Sequence, residues 1–125
     1  MAKALKPIDA NAAARLREAG ALMVDVREAG EVARAGIPGA ANVALSRLEI
    51  AELPAAPGQK VVFFCASGNR TNVNAARLVA KAGNADAYVM QGGISAWSAA
   101  GLPVESGGSA NEGGAGRGFF SRLLG

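Results

Sequence analysis

The chain has 125 residues, of which 50% are hydrophobic and 18% charged, and its formal net charge is +3. This length and composition are typical of one compact domain with a buried core, and they exclude a disordered or collagen-like chain. The absence of histidine and the presence of a single cysteine, Cys65, exclude Ser-His-Asp triads, Cys-His dyads, histidine-ligated zinc or haem, intrachain disulfides and multi-cysteine metal clusters.

Hydrophobic periodicity and turn residues divide the first hundred residues into alternating helices and strands. In chain order the pattern predicts a helix capped by Asp9 or Asn11 and ending near Glu18, a strand over 21–25, a helix over 28–34, a turn over 37–39, a strand over 41–44, a helix over 47–52 capped by Ser46, a strand over 60–65, a helix over 71–82, a strand over 85–90 and a helix over 94–99. Continuous apolar strands separated by helices indicate an α/β domain whose parallel sheet is covered on both faces.

The composition changes abruptly after Glu105. Residues 106–118 are rich in glycine together with serine, asparagine and alanine, which is typical of a flexible linker. Residues 119–125 contain four apolar side chains that would share one face of a helix. We therefore predict a domain at 1–105, a linker at 106–118 and an apolar tail at 119–125. The tail is either a frayed end or a peptide that docks on a protein partner or a membrane surface.

Charge and hydropathy also bear on partners and location. The basic residues are scattered singly and aromatic residues make up 5%, whereas a nucleic-acid-binding surface would cluster both. We therefore expect no nucleic-acid binding. The N-terminal residues include no apolar segment of the signal-peptide kind, and the most apolar run, 61–66, is too short to span a bilayer. These features and a lone free thiol, which survives in a reducing compartment, predict a cytoplasmic protein.

The segment Cys65-Ala-Ser-Gly-Asn-Arg70 lies between the most clearly predicted strand and a predicted helix. This placement puts the thiol at the carboxyl end of a strand, where open α/β folds bind ligands. Curled-loop amides, the N-terminus of the helix and the charge of Arg70 would lower the pKa of the thiol, and Gly68 permits the necessary backbone angles. A lone cysteine in a strand is often an inert buried thiol, but this context indicates a reactive thiolate that needs no histidine base.

Four segments, in the right order, resemble the single-domain form of the rhodanese (thiosulfate sulfurtransferase) family over about residues 5–105. They are Leu22-Met-Val-Asp-Val-Arg-Glu28, the stretch from Glu31 through Ile37-Pro-Gly-Ala-Ala-Asn42, the loop Cys65–Arg70, and Gln91-Gly-Gly-Ile-Ser-Ala-Trp97 with Ala100-Gly-Leu-Pro103. One position departs from the pattern, because Ala35-Gly36 stands where the family usually has Gly-His. Since that histidine is not the sulfur acceptor, we expect Gly36 to affect local packing rather than activity.

The resemblance implies a rhodanese-like fold with a five-stranded, mainly parallel sheet flanked by helices on both faces. It implies that Cys65 is the catalytic nucleophile and carries a persulfide intermediate. The residues expected to bind the substrate or the persulfide are Ala66, Ser67, Gly68, Asn69 and Arg70. Related phosphatases and arsenate reductases have a longer loop, so six residues from Cys65 to Arg70 favour sulfur transfer. Asp25 and Arg27 either line the mouth of the pocket or form an ion pair that braces the loop.

The resemblance further implies a sulfurtransferase that moves sulfane sulfur from thiosulfate or another persulfide donor to cyanide, a thiol or a carrier protein. An alternative is a sulfur-relay or sensing module that acts with a protein partner and turns over thiosulfate weakly. Ala66 motivates this alternative, because many family members have a cationic residue there that would help to capture the thiosulfate dianion. We expect neither a metal nor a cofactor in either case.

Overall fold

The computed structural model describes residues 4–106. The predicted apolar tail at 119–125, and all of the predicted linker except Ser106, lie outside the described residues. The described strands are β1 (Lys6–Ile8), β2 (Leu22–Asp25), β3 (Ala41–Asn42), β4 (Val61–Phe64) and β5 (Ala87–Met90). The described helices are α1 (Ala10–Glu18), α2 (Ala29–Arg34), α3 (Asn69–Val73), α4 (Ala75–Ala82) and α5 (Gly93–Ala99), and a 3-10 helix spans Leu45–Arg47. None of these helices is long and apolar enough to cross a membrane.

The five strands form one parallel sheet in the order β1-β5-β4-β2-β3. All four residues of the central strand β4 are buried, because both faces of the sheet are covered. Val61 and Phe63 belong to a core cluster with Leu78 of α4. Val62 and Phe64 belong to a second cluster, which includes residues of α1 and α5. The predicted α/β class, with helices on both faces, is therefore confirmed.

The first strand is an element that the hydrophobic pattern did not predict. Lys6 and Pro7 are exposed, and the strand exists because its backbone pairs in parallel with β5, with Lys6 opposite Tyr88. Its position at the edge of the sheet also explains how a proline is accommodated, since an edge strand has one side without a hydrogen-bonded neighbour. The structure therefore has the five strands that the family resemblance implies, whereas the apolar runs alone do not predict the strand over residues 6–8.

The predicted helix over 47–52 is wrong. The chain forms a 3-10 helix over Leu45–Arg47 and then a series of turns. Ser46 does not cap a helix there, because its hydroxyl donates a hydrogen bond of 2.6 Å to the carboxylate of Glu28. The segment buries Leu48 completely, packs Leu45 and Ala51 against the same core cluster, and leaves Ile50 74% exposed.

The helix predicted over 71–82 is divided into α3 and α4. It starts earlier than predicted, directly after Gly68, so Asn69 and Arg70 are already helical. The break is at Asn74, whose backbone leaves the helical region and whose side-chain amide donates to the carbonyl of Arg70 at 2.8 Å. Asparagine side chains compete in this way with backbone hydrogen bonds. Two residues of the predicted loop, Asn69 and Arg70, therefore belong to the separate short helix α3.

Candidate active site

Cys65 follows β4 at the carboxyl edge of the sheet, and its side chain is only 1% exposed. The chain reverses directly after it because Gly68 adopts a φ of 98°, in the left-handed region that favours glycine. This reversal brings the backbone N–H of Gly68 to 3.1 Å from the sulfur, to which it donates a hydrogen bond. The loop from Cys65 to Arg70 therefore curls around its own thiol.

Thr71 completes the surroundings of the sulfur. Its hydroxyl oxygen lies 3.7 Å from Cys65 Sγ and 3.0 Å from the carbonyl oxygen of Gly68, so its one proton is within reach of either acceptor, and the residue is 1% exposed. Burial raises the pKa of the Cys65 thiol, but it is outweighed by hydrogen bonds from the amide and hydroxyl of Thr71 and from the amides of Gly68 and Ser67. The pKa of Cys65 is therefore below its ordinary value, and the site stabilises a thiolate.

The N-terminus of α5 contacts the loop through two backbone hydrogen bonds. The amide of Ile94 donates to the carbonyl of Cys65 at 2.9 Å, and the amide of Ser95 donates to that of Ala66 at 3.0 Å. The approach is so close that a Cβ atom on Gly93 would lie 2.3 Å from the Cys65 carbonyl oxygen, and Gly93 has a φ of 57°. Gly93 thus lets the backbone of α5 contact the backbone of the loop.

Arg70 makes a bidentate ion pair with Glu31 of α2. Its two terminal nitrogens lie 2.8 Å from the two carboxylate oxygens. The hydrogen bond from Arg70 lowers the pKa of Glu31 to about 2, against a raising effect of burial, and the amide of Glu28 adds to the lowering. The same pair raises the pKa of Arg70. The cation expected to serve the sulfur is therefore already paired with a carboxylate.

Asp25 and Arg27 form a buried ion pair, which is one of the two arrangements considered above. Arg27 Nε and Nη2 donate to the carboxylate of Asp25 at 2.9 and 2.7 Å, and the exposed fractions are 5% for Arg27 and 1% for Asp25. Arg27 also donates to the carbonyl of Ala35 at 2.6 Å, and Asn42 donates to the carbonyls of both Asp25 and Arg27. These contacts hold β2 to the segment between α2 and β3.

The other predicted residues of the loop differ in exposure. Ser67 and Asn69 are exposed, and Ala66 is half-buried.

Gly36 forms a two-way backbone bridge with Glu105, in which each amide donates to the other's carbonyl at 2.8 Å. Gly36 is thus part of a backbone contact between the segment before β3 and the end of the described residues. Within residues 4–106, no group of three or more histidine, cysteine, aspartate or glutamate side chains is arranged to hold a metal ion.

Two residues of the site were not singled out by sequence reasoning. Thr71 appeared only as the start of a helix, although its position directly after the loop was a usable signal. Glu31 appeared only within a resembling segment, with no partner assigned to it. Nothing local indicates its contact with Arg70, which lies 39 residues further along the chain.

The profile of the rhodanese-like domain family matches residues 9–100. Among curated proteins, an uncharacterised protein of Synechocystis sp. is 40% identical over 83 residues, which cover 66% of this chain and 46% of that protein. The chain therefore spans less than half the length of the curated relative that it matches.

Solved structures share the fold. A rhodanese-related protein of Thermoplasma volcanium is 26% identical with a TM-score of 0.69, and the match covers 80% of this chain and 97% of that one. A possible tyrosine phosphatase of Rhodopseudomonas palustris is 28% identical with a TM-score of 0.66 and coverage of 81% and 85%. A thiosulfate sulfurtransferase of Pseudomonas aeruginosa is 25% identical with a TM-score of 0.68, and the match covers 90% of this chain and 22% of that one.

Proposed function

This chain belongs to the rhodanese-like domain family, and from that premise we propose that it is a sulfurtransferase whose nucleophile is Cys65. The observation that carries the proposal is the position of Cys65 Sγ, which accepts a hydrogen bond of 3.1 Å from the Gly68 amide and lies 3.7 Å from the Thr71 hydroxyl oxygen. Such donors stabilise negative charge on sulfur both before and after the sulfur atom is transferred. A thiolate that exists in the resting protein needs no general base, which accords with a sequence that lacks histidine.

The reaction proceeds in two halves. The Cys65 thiolate attacks the outer sulfur of the donor, a new S–S bond forms, and the bond from that sulfur to the donor breaks with its electron pair on the leaving group. The product is a Cys65 persulfide anion, held where the thiolate was. An acceptor nucleophile then attacks the outer sulfur, and the Cys65 thiolate leaves. Because the first product departs before the acceptor reacts, we expect ping-pong kinetics.

The donor is thiosulfate or another persulfide, and the acceptor is cyanide, a thiol or a carrier protein. The similarity to the Pseudomonas aeruginosa thiosulfate sulfurtransferase supports the first donor. The alternative, a sulfur relay to a protein partner with weak thiosulfate turnover, is supported by the uncharged Ala66 in the loop. A phosphatase activity, which the similarity to the Rhodopseudomonas palustris protein raises, is disfavoured by the six-residue loop.

Intact-mass measurement tests the proposal. We expect the protein to gain the mass of one sulfur atom on incubation with thiosulfate or an organic persulfide, and to lose it on addition of cyanide. Cys65→Ser should abolish both changes while the unfolding midpoint stays close to that of the wild type, because the substitution replaces one buried atom. Glu49→Gln, which alters a surface ion pair with Arg77, is the matched control and should behave as the wild type.

Three outcomes separate the candidates. Substantial turnover by Cys65→Ser would show that Cys65 is not the nucleophile. Sulfur loading with poor turnover to cyanide would favour the relay. Hydrolysis of an aryl phosphate that disappears in Cys65→Ser would favour a phosphatase instead.

A further inference from the structure

We propose that the Glu31–Arg70 ion pair makes this site select sulfur donors with a single negative charge, namely organic persulfides, over the thiosulfate dianion. The inference rests on the proposed function and specifies its donor class. It concerns the cation nearest in sequence to the thiol, since Arg70 is the one charged residue between positions 65 and 70.

The charge of Arg70 is balanced by Glu31. Both terminal nitrogens of the guanidinium lie 2.8 Å from carboxylate oxygens, which is the geometry of a strong two-point interaction. Glu31 is ionised at neutral pH, since its pKa is about 2. A donor that approaches Cys65 therefore meets a neutral pair rather than a free cation.

Arg70 is also held against movement toward the sulfur. The Glu31 carboxylate that binds it accepts a hydrogen bond of 3.2 Å from the amide of Glu28, as part of the capping box that begins α2. The guanidinium would have to break two short hydrogen bonds to reach a donor, and it would leave a carboxylate beside the loop. The groups that donate hydrogen bonds to the sulfur are instead uncharged: the amides of Ser67, Gly68 and Thr71 and the Thr71 hydroxyl.

The two donor classes differ in the charge that they bring. An organic persulfide, RSS⁻, and the Cys65 thiolate bring two negative charges together; the Cys65 persulfide anion and RS⁻ leave. Thiosulfate and the same thiolate bring three, and the persulfide anion and sulfite dianion leave. In both reactions one S–S bond forms and one breaks, so the chemistry is the same. The extra charge of thiosulfate must be offset by a cation, and the cation of this loop, Arg70, is already paired with Glu31.

The test uses intact mass at low ionic strength to measure the rates at which thiosulfate and cysteine persulfide add sulfur to Cys65. Because the two donors differ in intrinsic reactivity, the informative quantity is the thiosulfate-to-persulfide rate ratio. Glu31→Gln frees the charge of Arg70 and should raise the ratio on the order of tenfold, mostly through faster reaction with thiosulfate. Added salt should reduce this gain. Glu49→Gln removes the same charge from the Arg77 pair and should leave the ratio unchanged.

A second variant covers the case in which Glu31→Gln does not fold. Ser67→Lys adds a cation at an exposed loop position and should also raise the ratio. The proposal is overturned if the ratio is unchanged in Glu31→Gln or, where that variant does not fold, in Ser67→Lys. It is equally overturned if Glu49→Gln raises the ratio as much as Glu31→Gln does. Failure of both donors to load the wild type would instead refute the proposed function.

Discussion

The sulfur of Cys65 shows how the pKa of a buried thiol is lowered without a neighbouring base. Its burial, at 1% exposure, opposes ionisation, and the hydrogen-bond donors of the following loop and of Thr71 outweigh that effect. Backbone amides are fixed by the curl of the chain, so in the proposed reaction they would need no reorganisation as charge moves from the thiolate to a persulfide. The reactivity of the residue therefore depends on donors that hold no net charge.

We expect Thr71→Val to raise the pKa of Cys65, because the hydroxyl is one of the donors that lower it. At neutral pH a higher pKa leaves less thiolate, so alkylation by iodoacetamide should slow a few fold. The midpoint of the rate against pH should move upward. Thr71→Ser keeps the hydroxyl and is the matched control, with a midpoint close to that of the wild type. An unchanged midpoint in Thr71→Val would contradict the role given to this side chain.

Residues of the site differ in how far a sequence can identify them. The positions of Cys65 and Gly68 can be predicted because a strand, a tight loop and a helix follow one another locally. The pairing of Arg70 with Glu31 cannot, because many carboxylates are available to one arginine and the choice depends on where α2 packs. Asp25 and Arg27 fall between these cases, since a spacing of two residues suggested an ion pair without excluding a role in the pocket.

At the scale of elements, the close contact between α5 and the loop is the feature that positions the thiol. Two amides at the start of α5 hold the carbonyls of Cys65 and Ala66. A helix N-terminus has unpaired amides, and here two of them serve the loop instead of solvent. The contact is possible only because Gly93 has no side chain.

We expect Gly93→Ala to lower the free energy of unfolding by more than about 2 kcal/mol, because a methyl group would add a backbone clash to the strain of a positive φ. The displaced loop should also load sulfur more slowly. Gly101→Ala is the control, since Gly101 has a φ of 78° but open space around its Cβ position. In Gly101→Ala the backbone strain alone should lower the free energy of unfolding by about 1 kcal/mol, and Cys65 should load sulfur at the wild-type rate. Equal effects in the two variants, measured by urea unfolding, would show that the clash is unimportant.

Among the strands, the sequence predicts the buried ones well. The strands β2, β4 and β5 are short apolar runs, and their burial is the cause of that composition. The strand β1 has no such signal, because it is an exposed edge that exists through pairing with β5. The helix predicted over 47–52 fails for a related reason: Ser46 hydrogen-bonds to distant Glu28, and this tertiary contact overrides the local capping pattern.

At the scale of the whole molecule, the described residues already contain a complete sheet, two core clusters and the candidate site. The bridge between Gly36 and Glu105 joins the end of this unit to the segment before β3. Trp97, fully buried in the core, donates to the carbonyl of Pro103 at 2.7 Å and fixes the same end from inside. The last of these contacts is made by Glu105, where the sequence predicts the domain to end, and that boundary stays a prediction.

We expect deletion of residues 107–125 to change the free energy of unfolding by less than about 0.5 kcal/mol, because both core clusters lie within residues 4–106. Sulfur loading of Cys65 should be unaffected for the same reason. Any association with a membrane or a partner through the apolar tail should be lost, which vesicle co-sedimentation would detect. Unfolding or inactivation of the shortened protein would show that the tail belongs to the domain.

The pairing of β1 with β5 also constrains the order in which the chain acquires its structure. Lys6 lies opposite Tyr88, so β1 has no partner until β5, the last of the described strands in chain order, has been synthesised. Such distant pairings are slow to form, because a large chain loop must close before any contact stabilises it. During that interval the edge of β5 that will receive β1 stays open to other strands. We therefore expect β1 to join the sheet late in folding, with the edge of β5 exposed to mispairing until it does.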